Sequence, residues 1–380
     1  MLNSLSIPMF AIRHKAIGGT EFATYNLIKG LSATDVSTKL ILDRDDHLSP
    51  EFREWLSGNP NVGREYRLRL PGPKNVRFLQ ETLFSLSRRT KEWALFPNYY
   101  LPPVKRSFDQ PNAVILYDIQ YKIHPELHGK LKIEWLDFYL PQMFERADSI
   151  LLISQSEKTL IERFFGKKAT DKCDIINIAI DLERFDSTSD NSEEWAADLI
   201  SRPYILSVCH PFPHKNLQTL LSAFQRISPR HPDLFLYLVG QESAANKAFI
   251  SRNISSEVSR KIKLLGYLSD AKLGLLYRKS EFVAIPSLYE GFGMPSVEAL
   301  AVGAPILVSG NTSMPEVTLG FGDYISSPKD PDAWIAGIER MLAKRTRPTP
   351  QISALVRDAY SPANVARNLL QILNRRGPVP

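Results

Sequence analysis

An α/β fold with two Rossmann-like, doubly wound parallel-sheet domains is what this 380-residue chain predicts. Three observations carry the expectation. In residues 203–357, short apolar runs of β-forming residues alternate with stretches of helical apolar spacing. Residues 1–195 repeat the theme less sharply. Between them, Asp186–Pro203 contains Ser187, Ser189, Asp190, Asn191, Ser192, Glu193 and Glu194 and reads as a polar linker. Strands that are apolar throughout, rather than alternating, imply a sheet covered on both faces.

In the first half, Glu21–Leu31 reads as a helix through Phe22, Tyr25, Leu27, Ile28 and Leu31, and Val36–Leu42 as a strand. Val76, Leu79, Leu83 and Leu86 make a helix face. Ala113–Tyr117 and Ser149–Ile153 are expected strands and Lys158–Phe165 an expected helix. In the second half the expected strands are Tyr204–Cys209, Leu234–Val239, Ile262–Leu265, Phe282–Ile285 and Pro305–Val308. Helices are expected through Leu217, Leu220, Leu221, Phe224 and Ile227, between Gly240 and Lys261, through Leu273, Leu276 and Tyr277, and over Ser296–Val302. Lys344–Pro350 is a second polar break. Beyond it, Ser361 and Pro362 form an N-cap and first-position pair opening a helix over 361–376 striped by Ala366, Leu369, Leu370 and Leu373. That helix is expected to complete the first domain.

Composition bounds the function. Hydrophobic residues are 43% and charged residues 23%, which excludes disorder as the main state. Two cysteines, Cys173 and Cys209, exclude a disulfide scaffold and read as plain thiols. No apolar run approaches the roughly 18 residues of a membrane span, and the N-terminus has no basic, cleavable leader, so the expected location is cytoplasmic. Net charge is +6, unevenly placed: residues 1–200 hold 26 Lys+Arg against 28 Asp+Glu, and residues 201–380 hold 21 against 13. The second half therefore suits an anionic ligand or surface. Arg64–Arg106 is a local basic stretch that suits the inner face of a membrane as well as a solvated face. No groove-reading or stacking motif accompanies it, so nucleic acid is not an expected partner.

Four segments carry candidate chemistry. Glu290-Gly291-Phe292-Gly293-Met294-Pro295-Ser296-Val297-Glu298 follows a strand and opens a helix. Its glycines admit a ligand close to backbone N–H groups, and the helix N-terminus favours phosphate. Glu298 is placed to accept hydrogen bonds from ribose hydroxyls, although an N-terminal cap looks the same in isolation. Glu290 lies beyond the strand end, where open α/β sheets bind ligands. His210-Pro211-Phe212-Pro213-His214-Lys215-Asn216 also joins a strand to a helix. Lys215 opposes the helix dipole there unless an anion lies between, and His210 and His214 add possible donors. Gly18-Gly19-Thr20-Glu21 precedes a helix after Arg13, His14 and Lys15; it is not the G-x-G-x-x-G fingerprint of a dinucleotide site. Asp118 follows a strand beside Tyr117 and Gln120, and is either a site for an acceptor hydroxyl or a turn cap. Asn98, in Phe96–Tyr100, is grouped with it as acceptor-side. No histidine or cysteine spacing matches a metal site.

The run Ile285–Leu300 resembles the E-x7-E signature of the retaining glycosyltransferase family 4, whose fold is GT-B. Pro203–Asn216 resembles that family's phosphate-lysine loop, and Leu238–Gly240, Leu265–Tyr267 and Ser313–Val317 its following strand ends. Gly18–Glu21, Tyr117–Gln120 with Pro125-Glu126, and Ile178–Phe185 resemble its first-domain landmarks. The resemblance implies two domains facing a cleft and a nucleoside diphosphate sugar as donor, with no cofactor. Glu298 would bind the ribose and Glu290 the donor sugar. The backbone of Phe292, Gly293 and Met294 would hold sugar and diphosphate, with Lys215 and Gly19 on the diphosphate. His210 stands where the family often has arginine, and Tyr117 where it often has histidine. Transfer to a saccharide or lipid-linked hydroxyl, without a metal and with retention, is the expectation. A nucleotide-sugar epimerase and a non-catalytic sugar- or membrane-binding protein of the same fold are the alternatives.

Overall fold

A computed structural model describes residues 2–10, 12, 19–42, 48–66, 92–99, 101, 110–186, 192–208, 210–241 and 243–377. Two compact units divide the chain: one from Met1–Asp181 with Ala359–Pro380, the other from Leu182–Asp358.

The first unit holds a seven-stranded parallel sheet in the order β3-β2-β1-β4-β5-β6-β7. Its strands are β1 (Ser4–Pro8), β2 (Ser37–Leu42), β3 (Val62–Tyr66), β4 (Trp93–Phe96), β5 (Asn112–Leu116), β6 (Ser149–Leu152) and β7 (Cys173–Ile175). β4, β5 and β6 are buried at every residue, as a sheet covered on both faces requires. Val114, Leu116, Ile150 and Leu152 pack with Leu136, Leu140 and Met143 of the helix Lys130–Arg146. The buried Cys173 thiol at the start of β7 is unpaired, and burial pushes its pKa up to about 12, which leaves it inert.

Helix Pro362–Arg376 returns to this unit. The Ser361 hydroxyl accepts from the Asn364 N–H at 3.2 Å, the N-cap that the Ser-Pro pair predicts. Its buried stripe is Val365, Ala366, Leu369, Ile372 and Leu373, so Leu370 lies at the margin. It crosses the helix Thr20–Ser32 at Gly30, where any Cβ would be driven into the Pro362 carbonyl. Arg376 Nε donates to Asp174 at 2.8 Å.

The second unit holds a six-stranded parallel sheet in the order β10-β9-β8-β11-β12-β13. Its strands are β8 (Tyr204–Val208), β9 (Phe235–Val239), β10 (Ile262–Gly266), β11 (Phe282–Ile285), β12 (Ile306–Ser309) and β13 (Asp323–Ile325). Leu220, Leu221, Phe224 and Ile227 of the helix Leu217–Ile227 are fully buried against this sheet. Each such side chain contributes about 1.5–3 kcal/mol of burial. Trp334 and Ile338 from the helix Pro331–Lys344 close the same core.

The polar stretch expected to be a linker is corrected. Ser192–Ile200 is a helix with Ala196 fully buried, and Lys272 lies over the Trp195 ring at 5.2 Å. Glu193 and Glu194 lie in the first turn, where acidic residues are favoured, so their polarity marks a helix start. The turn Glu183–Phe185 also packs in the second unit: Arg278 Nη1 donates to the Phe185 carbonyl at 2.8 Å. The boundary therefore lies at 181/182, earlier than the 195–203 that composition suggests. The expected helix face at Val76–Leu86, most of the basic stretch Arg64–Arg106, and Cys209 lie outside the described residues. Among the described residues no helix is long and apolar enough to cross a membrane.

Gly30→Ala is expected to destabilise the protein by about 1–3 kcal/mol through overpacking. Gly58→Ala, whose Cβ meets only an ordinary 3.7 Å contact, is expected to leave stability within a few tenths of a kcal/mol or raise it. Denaturant midpoints for the two variants check this, and equal midpoints contradict the helix crossing.

Candidate functional site

Both sheets reverse their strand order once, and that point sets where ligands bind in open α/β folds. In the second unit β8 and β11 are neighbours with their sequence partners on opposite sides. The loops leaving them carry His210–Asn216 and Pro286–Gly293. Lys215 ends the short turn Pro213–Lys215, and its Nζ donates to Glu290 Oε1 at 2.7 Å. Ser287 Oγ donates to the same oxygen at 2.7 Å. Both ends of the ion pair are largely buried, at 18% and 12% side-chain exposure. Burial pushes the Glu290 carboxyl up, but Lys215 and Ser287 outweigh it and hold the group below the usual carboxylate range.

The loops are braced from several sides. Asn216 adopts a left-handed conformation (φ 55°), which asparagine tolerates better than most residues. Its amide donates to the carbonyls of Pro286 at 3.1 Å and Pro328 at 2.7 Å, and its oxygen accepts from Thr219 at 2.7 Å. The Leu288 N–H donates to the His214 carbonyl at 2.7 Å, tying the two loops directly. The loop after β12 supports them: Asn311 donates to the Leu288 carbonyl, the Glu290 N–H to Thr312 Oγ1, and Ser313 Oγ to the carbonyls of Glu290 and Phe292. The His214 ring is buried and stacked on Phe212. His210 is pushed below its ordinary value by burial and by Lys215, so its imidazole is neutral at neutral pH.

Gly293 ends the loop at φ 90°, and a Cβ there would sit 2.6 Å from Met314 Sδ. It caps the helix Met294–Ala301, with Pro295 in the first turn. Ser296 is fully buried, and its hydroxyl donates to the Gly293 carbonyl at 2.7 Å. It therefore fixes the loop's shape. Phe292 is also buried, while Gly291 and Met294 are partly open. Glu298, one turn on, has 8% side-chain exposure. Arg184 Nη2 donates to its Oε1 at 2.6 Å and the Tyr277 hydroxyl to its Oε2 at 3.0 Å. Burial raises the Glu298 carboxyl above its ordinary value despite both partners, and burial also raises the Tyr277 phenol.

In the first unit the reversal lies between β1 and β4. Gly19, at the N-cap of the helix Thr20–Ser32, and the buried Asn98 follow those two strands. Gly18 lies outside the described residues. Asp118, after β5, is exposed, and its Oδ1 accepts from the Gln120 N–H at 3.0 Å, an Asx turn just before the helix Gln120–Ile123. The turn-cap reading therefore holds, and it leaves the other carboxylate oxygen outside that bond. Tyr117 is pushed up to about 12 by burial, against a hydrogen bond with Thr24 that links the β5 loop to the helix opened at Gly19. Among the described residues no cluster of three or more His, Cys, Asp or Glu is placed to hold a metal ion.

Lys215, Glu290, His210, His214 and the helix start at Met294 are thus gathered within the second unit. Arg184, Tyr277, Asn216, Thr312 and Ser313 join them without having been named from sequence as site residues. Asn216 alone carried a readable signal, as an Asx-type residue at a strand-to-helix turn.

Comparison with known proteins agrees. Residues 192–354 match the family described as glycosyl transferases group 1. The chain is 28% identical to O-antigen chain mannosyltransferase B of Escherichia coli over 280 residues, 68% of this chain and 69% of that protein. It is 31% identical to the serotype-specific mannosyltransferase WbdA of Escherichia coli over 220 residues, 55% of this chain and 26% of that protein. It spans about a quarter of the latter. Among solved structures, sucrose-phosphate synthase from Thermosynechococcus elongatus superposes with a TM-score of 0.74 at 18% identity, covering 98% of both chains. Anabaena HepE in complex with UDP and glucose gives 0.69 at 14%, covering 98% of this chain and 100% of that one.

The Glu290 carboxylate contributes stability fully present above the unfolded carboxylate range and lost as pH falls through its lowered folded value. The stability difference between wild type and Glu290→Gln is expected to be flat above about pH 5.5 and to shrink towards pH 3. Denaturant unfolding across that range checks it; a difference that grows on acidification contradicts the pair. The two-sheet frame, the loops at its strand-order reversal and the matched segment lead to one conclusion: residues 192–354 match the family of glycosyl transferases group 1, and the chain is a glycosyltransferase built on the GT-B fold.

Proposed function

We propose that the chain moves a glycosyl group from a nucleoside diphosphate sugar to a hydroxyl of a saccharide or lipid-linked saccharide, with retention and without a metal ion. In this reading it is a member of retaining family 4 with Glu290 and Glu298 as the E-x7-E pair. The observation that carries the proposal is the Lys215–Glu290 ion pair, set at the strand-order reversal just before the N-terminus of Met294–Ala301. Lys215 precedes the helix Leu217–Ile227, where a cation opposes the dipole; Glu290 offsets that conflict in the empty protein, and a diphosphate would offset it when bound.

The donor's anomeric C1–O bond to the β-phosphate breaks, and the acceptor oxygen forms its bond to C1 on the same face. The acceptor proton passes to the departing phosphate oxygen. Negative charge accumulates on the diphosphate, and Lys215 with the backbone amides of Gly291–Met294 neutralises it from fixed positions. Glu290, held ionised, accepts hydroxyls of the donor sugar; Glu298 accepts those of the ribose. His210, His214, Pro295 and Ser296 shape the donor site. Asp118, Tyr117, Gln120 and Asn98 face the acceptor. No nucleophile on the protein is required, nor a cofactor. The names of the Escherichia coli relatives make a mannosyl donor the first to test, and a lipid-linked acceptor would set the work at the inner face of a membrane.

GDP-mannose and UDP-glucose, each with a saccharide acceptor, supply the assay. Lys215→Ala is expected to lower kcat/KM by about 10²–10³ with its circular dichroism unchanged. EDTA is expected to leave the rate intact, and nuclear magnetic resonance of the product to show the donor's anomeric configuration. Activity lost to EDTA and restored by a divalent cation, a covalent glycosyl–Glu290 adduct, or turnover of donor without acceptor each contradicts the proposal.

A further inference from the structure

We infer that Arg184 and Tyr277 are positioning residues that fix the Glu298 carboxylate for a ribose and thereby set the preference for ribo- over deoxyribonucleotide donors. The inference rests on the donor site proposed above and deepens it. A carboxylate offers about four acceptor directions, two on each oxygen. Arg184 occupies one on Oε1 at 2.6 Å and Tyr277 one on Oε2 at 3.0 Å, so each oxygen keeps one acceptor direction outside these two bonds. With both oxygens tethered from different elements, the carboxylate plane cannot rotate, and the remaining directions are fixed before a ligand arrives. Fixed geometry is what makes an acceptor pair selective for a vicinal diol, because a mobile carboxylate bonds equally well to one hydroxyl or to water.

The two donors are themselves immobilised. Tyr277 is fully buried on the helix Asp270–Lys279. Arg184 stands in the turn Glu183–Phe185, with its guanidinium 4.6 Å from the Phe185 ring centre and its Nε 3.8 Å from Asp270. The Phe185 ring meets Tyr277 edge-on at 5.9 Å. The turn lies so close to that helix that a Cβ on Gly274 would be 2.6 Å from the Phe185 carbonyl. Arg184 makes one hydrogen bond to Oε1 from a planar guanidinium packed beside the Phe185 ring; a lysine would keep the charge and lose that packing and direction. Neutralising a buried carboxylate would by itself need only the charge, whereas holding its orientation needs both tethers.

The test uses the full-length chain, with GDP, UDP and their 2′-deoxy and 3′-deoxy counterparts as probes in calorimetric titrations. Wild type is expected to bind one ribonucleotide in preference to a deoxy counterpart by on the order of tenfold, the worth of a hydrogen bond to a charged group. Tyr277→Phe, which keeps the buried ring, and Arg184→Lys, which keeps the charge, are each expected to reduce that ratio to about two or below, with folding confirmed by circular dichroism. A ratio unchanged in Tyr277→Phe and Arg184→Lys, even if their melting temperatures fall, overturns the positioning role and leaves the donor site standing. No binding of either ribonucleotide by wild type overturns the donor site itself, and this inference with it.

Discussion

Lys215 and Glu290 meet in a part of the protein where burying an ion pair is expensive. Removing two charges from water costs several kcal/mol each, and a buried pair adds little net stability over well-packed apolar residues. The chain nevertheless commits an asparagine in left-handed backbone, a glycine at φ 90° and the side chains of Asn311, Thr312 and Ser313 to holding the loops that bear it. Such expense around a pair at the strand-order reversal makes sense when a ligand completes the electrostatics. In the proposed reading the pair is a stored arrangement: cation and carboxylate neutralise each other when the site is empty, and each would gain a separate partner when a diphosphate and a sugar enter.

The same logic runs through the rest of the second unit. His210 is kept neutral by burial and by Lys215, so the positive charge near the proposed diphosphate is concentrated on one lysine and on backbone dipoles. Glu298 shows the opposite balance, since burial outweighs Arg184 and Tyr277 and leaves its carboxyl raised. Each glutamate faces a cation and a hydroxyl; they differ because Lys215 and Ser287 outweigh burial at Glu290, whereas at Glu298 burial, with Asp270 adding to it, outweighs Arg184 and Tyr277. The excess of basic residues in residues 201–380 would suit a unit that handles anions.

How much was legible beforehand follows from how local each feature is. The strands β8, β9, β10, β11 and β12 were readable because each is an apolar run ended by a small or polar residue. Within a residue or two, their expected limits match. The glycine loop at 291–293 and its helix were readable because turn chemistry and capping are encoded within ten residues. β7 and β13, three residues each, give too short a pattern to register. Ser192–Ile200 was misread because first-turn acidic residues look the same as linker polarity until Ala196 is seen to be buried. Arg184 lies 114 residues from Glu298, and only the packing of the Glu183–Phe185 turn on the helix Asp270–Lys279 brings them together. No spacing rule reaches that far. Asp118 was ambiguous for a local reason: one carboxylate oxygen closes an Asx turn, which is what a turn aspartate does with or without a catalytic task.

A crystal of the chain soaked with GDP or UDP tests the central claim most directly. The account predicts a diphosphate oxygen within hydrogen-bond reach of Lys215 Nζ, with the Lys215–Glu290 contact of 2.7 Å opened and the phosphate facing the N-terminus of Met294–Ala301. A nucleotide bound elsewhere, with that ion pair unchanged, would contradict it.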